Sequence, residues 1–123
     1  MDASPKESSE EHWCAAGAVD ALGVGDALRL DAGEHRVAVF NVSGTFYAIS
    51  DVCTHERAYL SDGYVDGDTV ECPLHQALFH IPTGRVLAAP AVENVRTYPV
   101  RVCEGTIEVF VSGSAKSCPK HAK

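Results

Sequence analysis

The segment from Cys53 to His75 constrains this chain more than any other. It reads Cys53-Thr54-His55, then sixteen residues, then Cys72-Pro73-Leu74-His75, so a Cys and a His recur together twice. A Cys and a His one or two residues apart face a common centre only where the backbone turns sharply, and Pro73 favours such a turn in the second pair. The first pair lies between Ile49 and Leu60, in a polar stretch without strand alternation. Between the pairs, Ser61-Asp62-Gly63-Tyr64 and Asp66-Gly67-Asp68 have the turn chemistry to fold one loop back beside the other. The expected product is two hairpin tips that pinch a metal centre, with Cys53, His55, Cys72 and His75 as ligands.

Ligand type and spacing bear on which metal this is. Two thiolates and two imidazoles satisfy a closed tetrahedral zinc site, but zinc modules usually pair C-x2-4-C with H-x3-5-H, whereas each loop here mixes one Cys with one His. Mixed loops suit a two-iron cluster in which one iron takes two Cys and the other two His. The four positions resemble the Rieske motif, C-x-H-x15-17-C-x2-H, at every ligand. That resemblance implies one Rieske-type [2Fe-2S] cluster per chain, with a zinc-binding interaction module as the rival reading.

Beyond the ligands, the chain from about Trp13 to Val111 resembles the small Rieske ferredoxins of bacterial multicomponent aromatic-ring-hydroxylating dioxygenases. Similar stretches are Val39-Phe40-Asn41-Val42, Leu60-Ser61-Asp62-Gly63-Tyr64, Val70-Glu71-Cys72-Pro73-Leu74-His75 and Thr83-Gly84. One departure is local: relatives often place Gly straight after the first His ligand, whereas Glu56 and Arg57 follow His55 here. A side chain there forgoes the conformational freedom of Gly and puts two charges at the expected rim of the cluster.

Chain length limits what else the protein does. At 123 residues and 46% hydrophobic content it suits one compact core and is too short for two ordinary domains. A catalytic oxygenase subunit needs a further domain holding a mononuclear iron on two His and a carboxylate, for which there is no room. His12, His35, His80 and His121 are scattered, and no G-x-G-x-x-G or P-loop offers a nucleotide site. The formal net charge of -7 argues against nucleic acid, which requires a basic face, and fits either a solvated surface or an acidic patch for basic proteins. No apolar run approaches the length of a membrane span, and Met1 to Glu11 has neither an apolar core nor a twin-Arg pair. A cytoplasmic monomer is therefore expected.

Along the chain, residues 1–11 read as a disordered arm, 12–112 as the Rieske domain with its cluster-binding part at about 51–91, and 113–123 as a flexible tail. Trp13 reads as a core or sheet-face anchor. Gly23 and Gly25 predict a turn before a strand over Ala27 to Asp31, and His35 to Val42 with Thr45 to Ser50 predicts a hairpin about Ser43-Gly44. Asp68 to Glu71 leads into the second ligand loop, Ala77 to Ile81 leaves it, and Pro82-Thr83-Gly84 turns into Arg85 to Ala88. Leu87 to Ala91 resembles the proline-containing loop that covers the cluster in Rieske proteins. Asn94 to Cys103 alternates like a strand, with Pro99 requiring an edge or a bulge, and Glu104-Gly105 turns it into Thr106 to Val111. Cys14 and Cys103, in apolar strand-like stretches, read as small buried hydrophobes, and Cys118 as an exposed thiol. His80 reads as structural, the four ligand positions being better spaced.

Many short strands with Gly and Pro turns and no helical period argue for an all-β fold, a sandwich or small barrel. The resemblance implies the Rieske fold: an antiparallel β-sandwich or barrel base with a small cluster-binding subdomain formed by two hairpin-like loops. It also implies a carrier that does no substrate chemistry. One electron comes from a ferredoxin reductase and passes to the terminal Rieske oxygenase, with transient docking at the His55/His75 end. Leu60, Leu74 and Tyr59 are candidates for excluding water and for that docking surface. A Rieske subunit of another redox enzyme, of the nitrite reductase small subunit type, or a redox sensor is the alternative. High-potential Rieske proteins add a Cys to each loop and place Ser and Tyr hydroxyls after the second His. Those positions fall at Ala58, Leu74, Ala77 and Phe79 here, all apolar. The expected potential is therefore toward the reducing end of the Rieske range, roughly −150 to +300 mV.

Overall fold

The computed structural model describes residues 12–33, 35–53, 58–73, 77–88 and 93–111. The expected arm at 1–11, the tail at 113–123 with Cys118, and Ala89 to Ala91 of the expected covering loop lie outside these residues. The described chain is built from antiparallel strands with two short 3₁₀ turns, at Val19–Ala21 and Leu60–Asp62. The strands are β1 (His12–Ala18), β2 (Ala27–Ala32), β3 (His35–Val42), β4 (Thr45–Ser50), β5 (Tyr64–Asp66), β6 (Thr69–Glu71), β7 (Leu78–His80), β8 (Val86–Ala88), β9 (Thr97–Tyr98), β10 (Val100–Cys103) and β11 (Thr106–Val111). They form three sheets, ordered β1-β11-β10, β2-β3-β4-β9 and β5-β6-β7-β8.

The run Val37-Ala38-Val39-Phe40 explains how these sheets share a core. Successive strand residues point to opposite faces, and all four are fully buried, so β3 is covered on both sides. Val37 and Val39 pack with Cys14, Leu22, Leu30, Ile107 and Val109 between the two larger sheets. Ala38 and Phe40 point the other way, into a second core with Leu60, Val70, Phe79 and Ile81 under the ligand loops. β4 splits in the same manner, Ala48 to the first core and Ile49 to the second. The β3–β4 hairpin is thus the wall between base and cluster-binding part. Ser43 and Gly44 both have positive φ, 54° and 94°, as a two-residue primed turn requires. Buried Asn41 accepts the Gly44 N–H at 2.8 Å and donates to the Leu22 carbonyl at 2.9 Å, so its amide is satisfied where exposure would otherwise be needed.

Two expectations are corrected. Asn94 to Cys103 is not one strand: Thr97 and Tyr98 pair with β4, whereas Val100 to Cys103 pair with β11. Pro99 sits at the crossing from one sheet to the next, where a missing N–H costs no ladder bond, and its carbonyl accepts the Phe110 N–H at 2.9 Å. Cys103 is exposed rather than buried, because β10 is an edge strand whose last three residues all face solvent. Cys14 is buried as expected. Trp13 is a sheet-face anchor, lying 5.3 Å from the ring of its cross-strand partner Phe110 with the Arg101 guanidinium 4.1 Å over it.

Candidate metal centre

The chain leaves β4 and keeps its ladder for a few residues more. The Asp51 N–H donates to the Arg36 carbonyl at 2.8 Å, and the Asp51 carbonyl accepts the Leu60 N–H at 2.7 Å. Val52 then bridges Tyr59, and the Cys53 N–H donates to the Ala58 carbonyl at 2.9 Å. These rungs make a narrow stem that closes the first ligand loop. The second loop joins β6 to β7 and closes in the same way, the Cys72 N–H donating to the Ala77 carbonyl at 2.7 Å. In both loops a Cys is tied to an Ala five residues on, and the His lies inside the closed segment by sequence.

Cys53 and Cys72 are 3% and 1% exposed and belong to one apolar cluster with Ala58, Leu60, Val70, Ala77 and Phe79. The structure therefore brings the two predicted thiol ligands into one buried, apolar floor. His55 and His75 lie outside the described residues, as do Thr54, Glu56, Arg57 and Leu74. Among the described residues no group of three His, Cys, Asp or Glu side chains stands ready for a metal. Two buried thiols facing a common apolar core, each at the mouth of a loop that holds a His, fit the donor set of a two-iron cluster. Ala58, Ala77 and Phe79, where hydroxyl or disulfide partners would stand in high-potential relatives, are buried and apolar.

Other predicted residues fall elsewhere. Leu60 is fully buried and packs the floor, so it is a core residue and not part of a docking surface. Tyr59 is exposed, with Arg29 lying 4.3 Å over its ring. His80 takes a structural part as expected: its Nδ1 is 2.8 Å from Thr83 Oγ1 and its Nε2 3.1 Å from Asp68 Oδ2. A shallow cavity of about 220 Å³ opens beside Cys72, lined by Asp62, Gly63, Tyr64, Glu71 and Pro73.

Asp51 is a site residue the sequence does not mark, although it stands two positions before Cys53 with no side-chain exposure. Its Oδ1 accepts the Ser61 N–H at 2.7 Å, and its Oδ2 accepts the Ser61 hydroxyl at 3.0 Å and pairs with Arg29 Nε at 3.0 Å. Burial pushes the Asp51 carboxyl above the ordinary aspartate range, while the Ser61 hydrogen bonds and Arg29 pull it back. A turn residue next to a β-run carries no hint of this partner, since Arg29 comes from β2.

Known proteins agree with this geometry. Residues 12–99 match the family described as Rieske [2Fe-2S] domain. The anthranilate 1,2-dioxygenase ferredoxin subunit of Burkholderia cepacia is 41% identical over 105 residues, covering 85% of this chain and 97% of that protein. The 3-phenylpropionate/cinnamic acid dioxygenase ferredoxin subunit of Escherichia coli (strain K12) is 51% identical over 84 residues, 68% of this chain and 78% of that one. Among solved structures, a chain in the complex of reduced oxygenase and oxidized ferredoxin in carbazole 1,9a-dioxygenase matches with a TM-score of 0.77. It is 35% identical, covering 85% of this chain and 95% of that one.

Proposed function

Because the chain belongs to the Rieske [2Fe-2S] domain family, we propose that Cys53 and Cys72 hold one iron of its cluster and His55 and His75 the other. The protein is the ferredoxin component of an aromatic-ring dioxygenase system, an electron carrier and not an enzyme. When bound, the Rieske-type [2Fe-2S] cluster supplies reversible one-electron oxidation and reduction. The observation that supports the ligand assignment most is the pair of matched loops, each closed by a Cys N–H on an Ala carbonyl, with both thiols in one buried floor.

The chain's residues do the remaining work. Ala58, Leu60, Ala77 and Phe79 keep water from the thiol side, where a hydrated sulfur would be exposed to oxidation. The His55/His75 end is the docking face, for an oxygenase that accepts the electron and a ferredoxin reductase that donates it. Pro73, Tyr64, which is 77% exposed, and the Glu71 carboxylate line the cavity beside Cys72 and suit weak, reversible contact with a basic protein surface. Among the described residues no helix is long and apolar enough to cross a membrane. The setting we assign is the cytoplasm, whose reducing poise keeps the exposed Cys103 a thiol.

The test is to mix reduced protein with an oxidised terminal Rieske oxygenase without air and follow both centres in the visible spectrum. The expected result is one electron passed per chain, at a rate that falls as salt rises, because screening removes steering beyond about 10 Å at 0.1 M. No transfer at any salt concentration would overturn the reading. A rate unchanged up to about half-molar salt would leave the carrier role and remove the acidic docking face.

A further inference from the structure

An ion pair under the first ligand loop takes no part in the carrier reading above. Arg29 stands on β2, in the base, yet its Nε lies 3.0 Å from the buried Asp51 carboxylate and 3.1 Å from Ser61 Oγ, to which it donates. Its Nη2 donates to Asp62 Oδ2 at 3.1 Å, and its Cζ sits 4.3 Å over the Tyr59 ring. One cation therefore touches both arms of the stem that presents Cys53, since Asp51 is on the outgoing arm and Tyr59, Ser61 and Asp62 are on the return.

We propose that Arg29 and Asp51 are positioning residues for Cys53 and that their opposed charges set the reduction potential of the cluster the loops hold. The proposal rests on the cluster assignment above. Reduction adds one negative charge to the cluster, close to a carboxylate that is two residues from a ligand and shielded from water. In such surroundings a nearby carboxylate opposes the added electron and a nearby guanidinium favours it. The two oppose each other while both are present, and removing either uncovers the other.

Opposite outcomes follow for the two partners. Asp51→Asn deletes the negative charge while keeping an oxygen for the Ser61 N–H, so the potential rises. Arg29→Gln uncovers the carboxylate, so the potential falls. Arg29→Lys keeps the charge and stays closer to the wild type than Arg29→Gln. A clamp that acted by shape alone would loosen the same loop in both single variants and move the potential in one direction or not at all.

The experiment is protein-film voltammetry at pH 7 on the air-free wild type and the three variants, with iron and acid-labile sulfide counted in each. The expected order of potentials is Asp51→Asn above wild type, and Arg29→Gln below both wild type and Arg29→Lys. Shifts of one sign, or unchanged potentials in variants that hold their cluster, overturn the proposal. Should Asp51→Asn fail to retain iron, the Arg29 variants decide alone, because that side chain is 40% exposed and lies outside both apolar clusters. Equal potentials for Arg29→Gln and wild type then overturn it. A wild-type protein without iron and sulfide overturns the cluster assignment and this proposal with it, whereas a loaded wild type with unsplit variants overturns this proposal alone.

Discussion

The first ligand loop leaves the base sheet at Asp51 and returns at Leu60, whereas the second joins two adjacent strands, β6 and β7, of one small sheet. The second is a local hairpin: its stem is continuous with the ladder Thr69↔His80, Val70↔Phe79 and Glu71↔Leu78. Among the described residues the first has the single bridge Val52↔Tyr59, made by the Leu60–Asp51 and Cys53–Ala58 backbone bonds, and is braced by Arg29 from a distant strand. A metal held between the two is thus held between a local hairpin and a loop braced from the base, both over the core that Phe40 and Ile49 share with Val70 and Phe79. The difference teaches that equal closure, Cys N–H to Ala carbonyl, does not mean equal support.

The largest effect comes from removing a thiol. Cys53→Ala and Cys72→Ala should each lose all iron and sulfide, measured by metal analysis, because each removes a proposed thiolate ligand of an iron. Next is the place where the loops touch. Gly63 follows the return arm of the first loop, and a Cβ there would overlap the Glu71 carbonyl at the stem of the second. Gly63→Ala should cost about 1–3 kcal/mol in thermal or denaturant unfolding and reduce iron retention, since backbone must shift to admit the methyl. An unfolding midpoint equal to the wild type would mean the loops are not packed against each other here.

Smaller effects sharpen the comparison. Ser61→Ala removes the hydroxyl bonded to Asp51 Oδ2 and leaves the Ser61 N–H bond, so about 1–2 kcal/mol should be lost in chemical denaturation. Phe79→Tyr, by contrast, acts on the second loop's side and on electronics. A hydroxyl that reaches a cluster sulfur stabilises the more negative reduced state, so voltammetry should show a raised potential with little loss of iron. The smallest effect is expected at Cys103→Ser. That side chain is exposed on the edge strand β10, and stability should stay within about 0.5 kcal/mol of wild type.

Much of this was legible in the chain. The β3–β4 hairpin is bounded as Val-rich and aromatic runs about Ser43-Gly44 predict, and the Cys/His spacing alone points to the family. What was not legible depends on sheet order. Alternation in Asn94 to Cys103 reads as one strand because the pattern does not say which neighbour each half pairs with, and Pro99 marks the change only once both partners are seen. Cys103 has the same neighbours in sequence as a core residue but lies at an edge. Leu60 reads from sequence as a candidate both for excluding water and for docking, and the 3₁₀ turn at Leu60–Asp62 drives it into the floor beneath the thiols, which leaves only the first role. Asp51 and Arg29 are far apart in sequence and of ordinary composition, so only the packing of β2 against the first loop reveals them.

The central claim is that two loops, differently supported, jointly hold one cluster that carries one electron. Its most direct test is an air-free reductive titration of the purified protein, followed in the visible spectrum, with iron, zinc and acid-labile sulfide counted on the same sample. The account predicts two irons and two sulfides per chain and one electron taken up for each such pair. Stoichiometric zinc without sulfide, or iron that takes up no electron, would contradict it.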